Sequence, residues 1–267
     1  MTQSPTPIHE TVREHYAERI KSSASCCGSD NCCSPESNLY PADLLTTVPS
    51  DVSSTSYGCG DPITLASLQP GQTVLDLGSG AGLDCLLAAQ KVGPEGRVIG
   101  VDMTPEMIER AKDNAKRVNA TNVEFRQGYL EDIPVDSNTV DVVISNCVIN
   151  LAPDKNKVFS EIMRVLKPGA KLAVSDIVTT DGPLPVEVKK SLSAWAGCIA
   201  GALDVREYKS MMEAAGLTDI ELKPQYFDKA MIDDAVRDMK DIHELNQYSQ
   251  DELYKSVFSA KISARKK

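Results

Sequence analysis

TVLDLGSGAG, residues 73–82, decides the fold. The apolar run Thr73–Leu77 passes straight into glycines at 78, 80 and 82 and then into a helical pattern, so a buried strand must turn and open a helix within a few residues. Such a turn brings backbone amides close to a ligand without side-chain obstruction. Arg97–Val101 reads as a second strand, and Asp102 ends it 20 residues beyond Gly82. An acid so placed can accept hydrogen bonds from two ribose hydroxyls.

The same alternation continues outward. Val123–Arg126, Val140–Ser145 and Lys171–Ile177 are short and apolar, as strands buried on both faces should be. Helices fit between them. Residues 83–92 form one; Thr104-Pro105 opens the next, as N-cap and first helical residue, with Ile108, Ala111, Ala115 and Val118 on one face. Val158, Ile162 and Val165 line the helix after that, which Lys167-Pro168-Gly169 ends. Strand and helix repeated in this way predict an α/β fold with a doubly wound, mostly parallel sheet.

The flanks are less regular. Ile8, Val12, Tyr16 and Ile20 recur every four residues and predict a helix over 8–20. From 21 to about 60 the chain is rich in Ser, Cys, Pro, Asn and Thr without a period, which predicts an irregular segment, either a lid or a metal-organised loop. Beyond residue 181 the pattern predicts a helix over 185–203, with Leu192, Trp195, Ile199 and Leu203 on its large apolar face and Cys198 on a face of small residues. A helix over 205–215, a strand near 220–226, a polar helix over 230–247 and a strand over 257–264 follow. These last strands either return to the main sheet or build a separate α+β region. The division expected is therefore an arm at 1–60, a ligand-binding unit at 61–180 and a cover with closing strands at 181–267.

Composition excludes several classes. The 267 residues carry 28 basic and 38 acidic groups, a net charge of −10, with no basic stripe, which argues against nucleic acid as a partner. No run of 18 apolar residues exists and the first 25 residues lack the apolar core of a signal peptide, so a cytoplasmic protein with no membrane partner is expected. Eight cysteines in such a chain are expected to be thiols in a reducing compartment, available to metals or to redox chemistry.

The glycine pattern is GxGxG, and Asp76 stands at the strand end beside it. A carboxylate there repels a pyrophosphate and suits the ammonium and sulfonium of S-adenosylmethionine. VLDLGSGAG (74–82) and GYLEDIP (128–134) resemble motifs of the class I S-adenosylmethionine-dependent methyltransferases. The resemblance implies a Rossmann-like sheet and a cofactor site of Asp76, Gly78, Ser79, Gly80, Gly82, Asp102, Met103, Leu130, Glu131 and Asn146. Within it, Asp102 and Met103 frame ribose and adenine while Leu130 and Glu131 border the adenine ring.

Cys147 follows the fourth strand, where oxygen and nitrogen methyltransferases usually carry a base or polar clamp. The three histidines, His9, His15 and His243, fall outside the strand-end loops. A nucleophile with a lone pair and no proton to lose needs no base, and trivalent arsenic held by thiolates is one. YGCG (57–60), SNCVINL (145–151) and AGCIAGA (196–202) resemble the arsenite S-adenosylmethionine methyltransferases. That resemblance implies arsenic bound by Cys59, Cys147 and Cys198, delivered as a complex with small thiols, in a monomer. It also implies thiol exchange through one of Cys26, Cys27, Cys32 and Cys33, with Cys32 or Cys33 favoured, and reduction by thioredoxin or glutathione. CCGSDNCC (26–33) holding zinc, a C- or O-methyltransferase of an apolar metabolite, and a non-catalytic metalloid-binding protein stand as alternatives. Cys85, inside the first helix, reads as structural.

Overall fold

The computed structural model describes residues 6–22, 40–46, 48–53, 58, 60–180, 201–226 and 257–267. Among these residues eight strands form one sheet. In chain order they are β1 (Thr73–Leu77), β2 (Arg97–Asp102), β3 (Val123–Gln127), β4 (Val140–Asn146), β5 (Leu166–Thr179), β6 (Leu203–Asp204), β7 (Leu217–Gln225) and β8 (Val257–Lys266). The spatial order is β3-β2-β1-β4-β5-β8-β7, with β6 pairing β5 off this path. The pairs from β3 across to β5 are parallel, whereas β8 runs antiparallel to both β5 and β7. Thus the strands whose destination the sequence left open return to the main sheet, and β8 is seated inside it.

The helices are α1 (Pro7–Ser22), α2 (Ala42–Leu45), α3 (Ser50–Ser53), α4 (Pro62–Ala66), α5 (Leu83–Val92), α6 (Pro105–Arg117), α7 (Lys155–Val165) and α8 (Val205–Ala214), with a 3-10 turn at Ile149–Leu151. Period-two alternation along the strands separates two cores. Leu75, Leu77, Ile99, Val101 and Val143 join the core that contains Val158, Phe159 and Ile162 of α7 and Tyr208 and Met212 of α8. Val74, Val98, Val142 and Ile144 point the other way, to Leu86 and Leu87 of α5 and Ala111 and Ala115 of α6. A sheet covered on both faces explains why its strands read as apolar runs rather than as alternating ones.

Three expectations change. Leu203 belongs to a strand pair with Val178 of β5, not to the end of a helix. Lys167–Ala170 bulge out of β5, because pairing steps from Val140 with Leu166 to Val142 with Lys171. The segment before residue 60 is not irregular throughout: Tyr40, Leu44, Val48 and Val52 are buried in the α5 and α6 core and flank two short helices. The predicted helix at 230–247, Trp195, and six of the eight cysteines, namely Cys26, Cys27, Cys32, Cys33, Cys59 and Cys198, lie outside the described residues.

Candidate active site

β1 pairs with β2 on one side and β4 on the other, so the chain direction of assembly reverses beside it. Ligand clefts form at this switch point, outside the carboxyl ends of the strands. A cleft lies there, lined by the glycine turn (Gly78–Ala81), Asp102 and Met103 after β2, Tyr129–Glu131 after β3, and Asn146–Val148 after β4.

The glycine turn is held by backbone bonds to the neighbouring strand, since Gly78 and Ser79 both donate to the carbonyl of Val101 at 2.8 and 3.0 Å. Gly78 has φ +69°, and a Cβ there would lie 2.3 Å from Val148 Cγ2. No other residue fits both conditions. At Gly80 a Cβ would meet nothing within 4 Å, so the turn leaves open space on its cleft side. The Ser79 side chain is buried in the cleft wall with no hydrogen-bond partner for its hydroxyl among the described residues. Open space, an unsatisfied hydroxyl and an acid after β2 fit a ribose-bearing ligand.

Asp102 accepts from Gly80 N at 2.9 Å and from Thr104 N at 2.8 Å, which fixes both carboxylate oxygens at the cleft edge. Burial raises its pKa and these two amides oppose the rise. Leu130, Glu131 and Met103 close the far side.

Two cofactor assignments change. Asp76 does not line the cleft: it shares the strand face of Val74, is 2% exposed, and accepts a hydrogen bond from Cys85 Sγ at 3.2 Å. Burial, and then the nearby Asp84, pushes its pKa well up. Gly82 also lies behind the wall, where a Cβ would meet Phe125 Cζ at 2.9 Å, so it serves packing of α5 on β3. The acid that does reach the cleft near β4 is Asp84, in the first turn of α5. Tyr40 Oη donates to Asp84 Oδ1 at 2.7 Å, and Asn146 Nδ2 lies 3.2 Å from Asp84 Oδ2, 3.0 Å from Tyr40 Oη and 2.9 Å from Gly60 O. Burial lifts the Asp84 carboxyl to about 6 despite these donors. The same burial and the facing carboxylate hold the Tyr40 phenol protonated, so it remains a donor.

Cys147 stands beside this network, 5% exposed, in the left-handed region at φ +62°. A non-glycine residue there stores strain. Its amide donates to Ser175 O at 2.8 Å, which ties the strained turn to β5. Cys147 is disulfide-bonded, whereas Cys85 is a free thiol. Both sequence neighbours of Cys59 abut Asn146: Gly60 through its carbonyl, and Gly58 so closely that a Cβ would sit 2.1 Å from Asn146 Nδ2. Ala202 is buried in one cluster with Cys147, Val12, Leu151 and Ile177, and stands four positions after Cys198. Burial and Asp76 push the Cys85 thiol well up, consistent with its structural reading. Among the described residues no group of three His, Cys, Asp or Glu side chains is placed to hold a metal, and no helix is long and apolar enough to cross a membrane.

His9 was missed by position in the sequence. It does fall outside the strand-end loops, as expected, but α1 carries it into the cleft wall together with Val12 and Tyr16. Its Nε2 lies 3.2 Å from Glu131 Oε1, while Thr6 N donates to Nδ1 at 3.2 Å.

Residues 68–216 match the family model described as a methyltransferase domain. The chain is 43% identical to an arsenite methyltransferase of Halobacterium salinarum over 99% of its own length and 68% of that protein. It is 38% identical to an arsenite methyltransferase of Aquipseudomonas alcaligenes over 80% of its length and 63% of that protein, so it spans about two thirds of these relatives. A crystal structure of an arsenic(III) S-adenosylmethionine methyltransferase from Chlamydomonas reinhardtii superposes with a TM-score of 0.67 at 32% identity, covering 85% of this chain and 74% of that one. With the switch-point cleft, the GxGxG turn and the strand-end cysteine in place, the chain belongs to the arsenite methyltransferase family, on a class I methyltransferase fold.

Proposed function

We propose that this protein transfers methyl groups from S-adenosylmethionine to thiol-bound trivalent arsenic. The observation that carries the reading is Cys147: the residue directly after β4, lining the switch-point cleft, carries a soft sulfur instead of a base. The histidine in the cleft wall is engaged at both ring nitrogens, by Glu131 and by Thr6, and is not free to take a substrate proton. A nucleophile that has no proton to lose fits such a site.

The cofactor reading assigns Ser79 and the Gly78 and Gly80 backbone to its sugar and tail, Asp102 to the ribose hydroxyls, and Met103, Leu130 and Glu131 to the base. Asp84, held by Tyr40 and Asn146, takes the cationic end in place of Asp76. When bound, S-adenosylmethionine supplies a methyl group on a sulfonium, which a lone pair can take as a neutral thioether departs. The chain's part is to orient the acceptor and to keep the site dry.

Cys59, Cys147 and Cys198 are assigned as arsenic ligands that displace small thiols. Cys147 is a ligand only as a thiolate, so its disulfide must first be reduced. Methylation formally takes arsenic from trivalent to pentavalent, and two electrons must return before another round. A cysteine pair going from dithiol to disulfide, Cys59 with Cys32 or Cys33, supplies them, and thioredoxin or glutathione resets it. In this reading 1–60 is the exchange arm, 61–180 binds the cofactor and 181–267 covers arsenic, in a cytoplasmic monomer.

The test is single-turnover methylation of arsenite by Cys147→Ser under reducing conditions. Loss of arsenic affinity and rate supports the assignment, whereas an unchanged rate and affinity would sink it. Methylation of an organic acceptor that survives thiol blocking points to a carbon or oxygen acceptor instead.

A further inference from the structure

We propose that His9 is a cofactor-positioning residue, acting through Glu131 to hold α1 as one wall of the cofactor cleft. The proposal rests on the reading of that cleft as the S-adenosylmethionine site. His9, Val12 and Tyr16 all line it, spaced three and four residues apart on one face of α1. Helix α1 packs on α6 and on the 3-10 turn that follows Cys147, so it bridges the cofactor end of the cleft and the cysteine end.

The tautomer follows from the partners. Because the Thr6 amide donates to Nδ1, the proton of a neutral ring sits on Nε2, which donates to Glu131 Oε1. Glu131 is 1% exposed and His9 is 4% exposed, so this bond is screened from water. Among the described residues the other donor to Glu131 Oε1, Asp154 N, is long at 3.5 Å. A buried carboxylate with one good donor depends on it. The His9 ring also rests against Tyr129, with centroids 4.7 Å apart, and Tyr129 lines the same cleft. Tyr129 and Asp132 close a bridged turn around Leu130 and Glu131. His9 therefore pins the turn that borders the cofactor base to the helix that closes over it.

Docking of α1 and cofactor affinity are then reciprocally coupled, each strengthening the other by the same factor. The probe is S-adenosylhomocysteine, titrated calorimetrically into the full-length wild type, His9→Ala, His9→Gln and Glu131→Gln. His9→Ala is expected to weaken binding at least tenfold, with the loss falling on KM for S-adenosylmethionine rather than on kcat. His9→Gln, which keeps an N–H at similar reach, restores most of the affinity. The losses in the His9→Ala/Glu131→Gln double variant are less than additive, since both changes break one bond. Hydrogen exchange of the α1 amides slows on adding S-adenosylhomocysteine to wild type and slows less in His9→Ala.

Wild-type affinity in His9→Ala overturns the proposal. So does an equal loss in His9→Ala and His9→Gln that tracks a common drop in melting temperature, because that marks a structural role only. A wild type that binds no S-adenosylhomocysteine overturns the cofactor reading itself.

Discussion

Asp84 offers a perturbation whose size can be worked from the structure. Its carboxyl is lifted to about 6 by burial, with the Tyr40 and Asn146 hydrogen bonds opposing and Asp61 adding to the rise. A folded-state pKa raised above that of the unfolded chain means that stability is fully present at low pH and is lost as pH rises through 6. A cation bound against the ionised carboxylate reverses the sign, so cofactor affinity should rise over the same interval. With a pKa of about 6 the ionised fraction grows from ~0.24 at pH 5.5 to ~0.97 at pH 7.5, about fourfold in affinity or ~0.8 kcal/mol. Working lower is unwise, because the sequence pI of about 4.9 brings the net charge to zero and favours precipitation. The assay is calorimetric titration of S-adenosylmethionine and of S-adenosylhomocysteine at both pH values, in wild type and Asp84→Asn. Wild type should gain about fourfold. Asp84→Asn should bind more weakly at pH 7.5 and show no such gain, which separates Asp84 from the other raised carboxyls, Asp76 and Asp102. A gain for both ligands assigns the ammonium to Asp84, and a gain confined to S-adenosylmethionine assigns the sulfonium. Asp84→Asn binding as tightly as wild type at pH 7.5 would refute the placement of positive charge there.

Three further outcomes are expected. Gly78→Ala forces a Cβ to 2.3 Å from Val148 Cγ2 at φ +69° and should cost roughly 2–4 kcal/mol by urea unfolding, with cofactor binding lost; a second change, Val148→Ala, should recover only the steric share. Asp176 on β5 is wholly buried, accepts from Tyr208 Oη at 3.3 Å, and is lifted by burial to about 7. Wild type should therefore lose stability as pH rises from about 4 through 7, and Asp176→Asn should be the more stable protein at pH 8 by about 2–4 kcal/mol; equal stabilities there would contradict this. Cys85→Ala removes a protonated, fully buried thiol that lies outside the cleft, so stability should fall by about 1–2 kcal/mol while arsenite affinity, followed by titration, stays at the wild-type value.

What the sequence made legible is what short-range pattern encodes. The glycine turn, Asp102 and the strand-end cysteine were readable because strand, turn and helix follow one another within a few residues, so spacing translates directly into position. Asp76 misled for the same reason that its neighbours informed. It sits at the right place along β1, but period-two alternation turns it with Val74 towards α5, while the cleft is reached eight residues later, from the first turn of the helix, by Asp84. The glycine pattern says where the chain turns and is silent on which of two nearby acids points across the turn. His9 illustrates the other limit. Its partner Glu131 is 122 residues away, and nothing in the period of α1 distinguishes a face that packs on helices from one that walls a ligand cleft. Tyr40 likewise reaches Asp84 from outside the glycine motif, 44 residues before it. The N-terminal region reads as an annex in sequence because its apolar content is low, yet it places a donor on each of two cleft acids. A cleft that buries acids must neutralise or hydrogen-bond each of them when no cation is bound. Segments that arrive from outside the sheet are free to do so, since the strand ends are already committed to the turn.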